Sequence, residues 1–153
     1  MRRQRHQGVI YFVLLLVVLP VVFLLIGSFF SSDYQVEQVV EEFYEYEQEG
    51  NFSDSWELLH PFMKEKFPKG PYIQDRAHVF IGHFGAETFQ YTLEDAKKLE
   101  KWKPSKESKA LDVVYRVVVT QSYKGKYGTF AFQQNVYVTK HEGEWVILWD
   151  YNW

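Results

Sequence analysis

The sequence predicts an α+β protein: a single transmembrane helix, then one exported domain of N-terminal helices packed on a curved antiparallel sheet of about four strands. Three observations carry this expectation. Val9 to Phe30 is a run of 22 residues without a charge. Apolar residues recur at helical spacing from Tyr34 to His83. After Gly85 the alternation changes to period two. Helices first and strands afterwards is the order of a layered α+β architecture.

The chain divides into a tail (1–8), a membrane segment (9–30) and a domain (33–153). As a helix, Val9–Phe30 spans about 33 Å at 1.5 Å per residue, enough for a bilayer core. Pro20 falls mid-span, which membrane helices tolerate with a kink. Arg2, Arg3 and Arg5 precede the run and no acidic residue does, so the N-terminus is expected in the cytoplasm. The expected localisation is the cell membrane, single-pass, with the C-terminal domain extracytoplasmic. A cleaved signal would have a shorter apolar core and small residues at the cut. Gly27-Ser28-Phe29-Phe30 is a poor match, and no cysteine follows for lipid attachment.

Residues 33–153 carry all 20 acidic residues and 14 of the 17 basic ones, a formal charge of −6. That balance argues against nucleic acid or anionic lipid as the main partner of the domain. The absence of cysteine excludes disulfides, thiolate metal sites and thiol nucleophiles. The domain must therefore rely on its apolar core. Its abundance of Trp, Tyr and Phe suits a core of large side chains, the preferred reading, and also an aromatic-lined pocket.

Asp33 is expected to cap a helix from Tyr34, with Val36, Val39, Val40, Phe43 and Tyr44 inward and Gly50 as its stop. Ser53 or Asp54 starts a short helix carrying Trp56, Leu59 and His60, with Glu57 as capping-box partner. Pro61 opens another turn with Phe62, Met63 and Phe67 on its apolar face, broken by Pro68-Lys69-Gly70-Pro71. Tyr72–His83 reads as a third helical stretch, with Asp75 and Arg76 toward solvent. Glu87–Leu93 reads as a strand; Glu94–Trp102 either continues it or forms a helix with Leu93, Ala96 and Leu99 on one face, and continuation is the preferred reading. Pro104–Lys109 is a polar loop. Leu111–Tyr123, Thr129–Lys140 and Glu144–Tyr151 are successive strands, the last two joined by the hairpin signal Glu142-Gly143. The closing strand is apolar on both faces, which implies that its outer face is covered by a partner or a second chain.

Three stretches carry a family resemblance: the helix Val36–Tyr44, the segment Trp56-Glu57-Leu58-Leu59-His60-Pro61, and the strand Gly143-Glu144-Trp145-Val146-Ile147-Leu148-Trp149-Asp150. The pattern resembles the cone-shaped superfamily named after nuclear transport factor 2. The closing strand is similar to the end of the non-catalytic front domain of methicillin-resistance-type penicillin-binding proteins. The resemblance implies a cone of helices and curved sheet around a pocket. No Ser-x-x-Lys occurs, so the acylating chemistry of those proteins has no counterpart here. The superfamily holds isomerases and dehydratases, and also membrane-anchored scaffold subunits with one span and an exported cone.

Pocket candidates are Trp56, His60, Tyr115, Trp145 and Trp149, and interface candidates are Val146 and Leu148. The tryptophans either stack a ligand or fill the domain centre, and filling is the preferred reading. His60 before Pro61 suits packing or capping at a helix junction. His78 and His83 are five apart, a poor spacing for one helical face, so no metal is expected. Asp75, Asp150, Tyr115 and these histidines match no catalytic pattern, and neither a catalytic residue nor a cofactor is expected. The expected function is a membrane-anchored extracytoplasmic interaction or scaffold domain in an envelope, secretion or cell-wall process. Its partners would be the membrane, through Val9–Phe30, and a protein or a second copy. The alternative is a small-molecule-binding domain, or a weak lyase or isomerase using the cone pocket.

Overall fold

The structure, a computed structural model, describes residues 14–20, 22, 27, 31–78, 88–106 and 108–149. Among these, no helix is long and apolar enough to cross a membrane. The expected transmembrane helix is corrected on that finding. The continuous helical stretch described within Val9–Phe30 is 14–20. The rest of that run, apart from the helical residues Val22 and Gly27, lies outside the described residues, as does the tail 1–8.

Helix α1 (Ser32–Glu49) follows the apolar spacing of the sequence, burying Val36, Val39, Val40, Phe43 and Tyr44. Its cap is Ser31, whose Oγ accepts from the Tyr34 amide at 3.2 Å, rather than Asp33. Asp33 sits in the first turn, where a carboxylate still complements the helix dipole. Gly50 ends the helix at φ 75°, a left-handed conformation that favours glycine.

Three shorter helices follow: α2 (Phe52–Glu57), α3 (Pro61–Lys66) and α4 (Lys69–Ala77). Helix α2 begins before the expected Ser53 or Asp54. Asn51 takes the cap position, and its side-chain amide bonds Asp54 at 2.6 Å instead of a backbone group. Pro68-Lys69-Gly70-Pro71 starts α4 rather than only ending α3, because proline is tolerated in a first turn. The expected continuation from Val79 to His83 lies outside the described residues.

The antiparallel sheet has five strands, one more than expected: β1 (Phe89–Leu93), β2 (Lys97–Trp102), β3 (Leu111–Gly125), β4 (Gly128–His141) and β5 (Glu144–Trp149). The extra strand arises because Glu94–Ala96 interrupts the stretch expected to continue from Leu93. The order is β1-β3-β4-β5, with β2 also paired to β3. β1 takes Val119–Tyr123 and β2 takes Leu111–Arg116, so the two lie along the same long strand. Glu142 and Gly143 both adopt positive φ (52° and 91°), as a tight two-residue hairpin requires.

Strand alternation sorts the core. Val117, Val119, Val136, Val138 and Ile147 are buried together with the apolar face of α1. Burying each such side chain stabilises the fold by about 1.5–3 kcal/mol. The opposite face is partly covered by the chain itself. Trp102 stacks on Tyr137 at 4.0 Å, Pro104 is buried, and Tyr137 pairs in register with Leu148. Leu148 has 0% exposure within the single chain. The expectation that a partner or second chain must cover this part of the face is therefore corrected.

Candidate functional site

The register places two predicted residues together. Tyr115 on β3 and Trp145 on β5 lie on the same face as the helices, each in register with β4, at Val138 and Lys140 respectively. Their rings meet edge to face at 5.7 Å. Trp145 Nε1 donates to Gln35 Oε1 at 2.9 Å, fixing the indole against the start of α1. Lys140 Nζ lies 4.8 Å from the centre of the same ring, within cation–π range.

These residues line an open groove of about 540 Å³ together with Ser32, Lys109 and Asp112. A second groove of about 310 Å³ runs along the other side of Trp145, past Tyr34, Gln38 and Glu42. An aromatic wall flanked by lysines suits a partner that is anionic or amphipathic. Of the residues weighed as acids or bases, Tyr115 lines the first groove, and His60, Asp75 and His78 line neither.

The other predicted residues are elsewhere. Trp149 meets Phe43 at 5.7 Å and Phe67 at 6.3 Å, and its Nε1 has no hydrogen-bond partner among the described residues. Trp56 lies on the helical side, donating to the Phe67 carbonyl at 2.8 Å, with Lys64 and Lys69 against its ring. His60 is buried, and its Nδ1 accepts from the Phe62 amide at 3.1 Å, capping α3. Its imidazole stands 5.1 Å from that of His141. Burial first, and His141 second, lower its pKa to about 4. Val146 is half-buried and Leu148 is interior. Asp75 is exposed, and Asp150 and His83 lie outside the described residues.

A polar cluster escaped the sequence reading. Glu47 is only 3% exposed, on the buried side of α1. Its Oε1 accepts from Ser55 Oγ at 2.5 Å and Tyr72 OH at 2.7 Å. Its Oε2 accepts from Arg76 Nε at 2.6 Å and pairs with the second guanidinium nitrogen. Arg76 thus turns inward rather than toward solvent, correcting the expectation. The available signal was periodicity: Glu47 extends the stripe Val36, Val40, Phe43 by another turn. A glutamate in a buried stripe requires a cation or donors nearby.

Four donors saturate the acceptor sites of the Glu47 carboxylate. Burial, opposed by Arg76, raises the pKa of Tyr44, Tyr72 and Tyr123 well above the ordinary phenol value, so they remain protonated donors. Tyr123 accepts from Gln121 Nε2 at 2.8 Å, and its ring stacks on Phe130 and Phe132 at 5.3 and 5.5 Å. The described residues contain no group of three or more His, Asp or Glu able to hold a metal. No protein-family model matches the chain, and no curated protein matches it.

Proposed function

We propose that this chain is a non-catalytic interaction domain of the cone-shaped superfamily, held at a membrane surface outside the cytoplasm and working through protein contact. The observation that carries the reading is the saturation of Glu47. Its carboxylate is the buried acid among the described residues, and Ser55, Tyr72 and Arg76 already occupy its oxygens. An acid or base for catalysis needs a lone pair or proton directed at a substrate. The rings of Phe43, Tyr44 and Phe89 pack edge to face in the core, while the open grooves lie beside Trp145. Helices followed by an antiparallel sheet support the superfamily assignment. The exposed apolar residues Leu14–Leu19 support attachment to a bilayer.

A photo-crosslinking side chain placed at Lys140, beside the Trp145 groove, tests this in native membranes. A discrete protein adduct is expected from Lys140 and not from Lys126 in the distant β3–β4 turn. Identical adducts from both positions, or none, would reject the groove as a contact surface.

A second reading, a small-molecule site in the interior, is favoured by one observation: a buried carboxylate among three tyrosines. It requires that Glu47→Gln abolish ligand binding while the domain stays folded.

A further inference from the structure

Charge is unevenly distributed over the domain. Residues 97–109 hold six lysines and two glutamates, a formal +4, so the remainder of 33–153 carries −10. Lys97, Lys98, Lys101, Lys103 and Lys109 are exposed along β2 and its connection to β3. Strand β2 pairs with β3, and its other edge has no strand partner among the described residues. Lys97 stands directly opposite Arg116, a like-charge cross-strand pair that opposes folding. The Nε of Arg116 is buried without a hydrogen-bond partner among the described residues. An anionic partner at this edge offsets the like-charge opposition.

The strip ends where the chain approaches its apolar run. Lys109, Lys140 and Ser32 share the lining of the Trp145 groove. Ser32 begins α1, ten residues after the exposed Val22. We infer that the β2 edge docks on the anionic headgroups of the same bilayer that holds the apolar run. This rests on the membrane attachment proposed above. Lysines near an anionic leaflet are each attracted to it, while the acidic remainder is repelled, so the domain takes one orientation. Trp145, half-buried at the groove, suits the amphipathic interfacial layer. A short tether keeps the strip at high effective concentration near the surface.

The test is flotation of the full chain with phosphatidylcholine vesicles, and with vesicles containing about one-third phosphatidylglycerol, at low and high salt. Wild type is expected to favour the anionic vesicles by at least about tenfold at low salt, with the preference falling at high salt. The combined variant Lys97→Gln, Lys98→Gln, Lys101→Gln and Lys103→Gln is expected to lose it, with circular dichroism unchanged. Lys64→Gln with Lys66→Gln is expected to retain it. Neutral vesicles read the apolar run alone: failure of wild type to float with them rejects the attachment reading, whereas equal flotation with both vesicle types overturns the strip's role. Retention of the preference by the fourfold variant also overturns it. Binding to soluble polyglutamate without a preference for anionic vesicles assigns the strip to an acidic protein and rejects the lipid.

Discussion

The amide of His60 donates to the carbonyl of Ile147 at 2.8 Å, tying the α2–α3 junction to the last strand. Ile147 returns its own amide to the Leu58 carbonyl at 2.8 Å, and Leu59 bridges Ile147 in parallel. This short segment covers the β5 edge, which would otherwise present unpaired backbone groups. Leu59 has 0% exposure. Leu59→Ala is expected to cost about 2–5 kcal/mol in urea unfolding and to increase self-association by size-exclusion chromatography. Unchanged stability would mean that the edge is held by its backbone bonds alone.

His60 makes the same junction sensitive to acid. Its folded pKa, about 4, lies below the ordinary value of 6.5. The folded state therefore binds fewer protons than the unfolded chain. The stabilising contribution is complete above pH 6.5 and is lost progressively as pH falls toward 4. The loss should be on the order of 1–3 kcal/mol, and His60→Asn, which keeps a capping acceptor, should flatten this part of the profile. Denaturant midpoints measured across that range check it.

Glu47 joins α1 to α2 and α4 through Ser55, Tyr72 and Arg76. Glu47→Ala is expected to destabilise by about 3–5 kcal/mol, because it leaves buried donors and a guanidinium unpaired. Glu47→Gln should cost less, whereas Arg76→Ala should cost a comparable amount, since it leaves the fully buried Glu47 carboxylate without its cation. A double-mutant cycle on Glu47 and Arg76 measures the coupling.

Leu148→Asp is expected to unfold the domain rather than dissociate an assembly, because the side chain has no exposed surface. Val146→Asp, at a half-buried position on the same face, should be milder. Circular dichroism and sedimentation of both variants separate loss of fold from loss of association.

Residues 33–153 should fold without the preceding segment. Every residue of the buried core cluster, from Val36 to Leu148, lies inside that range. One cooperative thermal transition is expected, and a dye-binding state without fixed tertiary structure would contradict it.

Local periodicity made much of this architecture legible. The stripe Val36, Val39, Val40, Phe43 specifies a helix, and Gly50 its end, because both signals act within a few residues. Alternation in Leu111–Tyr123 and Thr129–Lys140, with Glu142-Gly143 between the last two strands, specifies the hairpins for the same reason. Tyr115, Trp145 and His60 could be chosen from residue type and position. Pairings between distant segments have no such local signature. Arg76 lies 29 residues from Glu47, and Trp145 lies 110 from Gln35. The break at Glu94–Ala96, where Glu37 accepts from the Ala96 amide at 2.9 Å, also depends on a remote helix. Burial of Leu148 accompanies the placement of β2 along β3, which brings Trp102 at its end onto Tyr137, the register partner of Leu148. Chain order thus carried the elements and their faces, while the meeting of faces from separate elements assigned charge pairing, burial and the grooves. The physical reason is range: helix and strand signals are written into neighbouring residues, whereas desolvation and ion pairing depend on which distant groups the packed layers bring into contact.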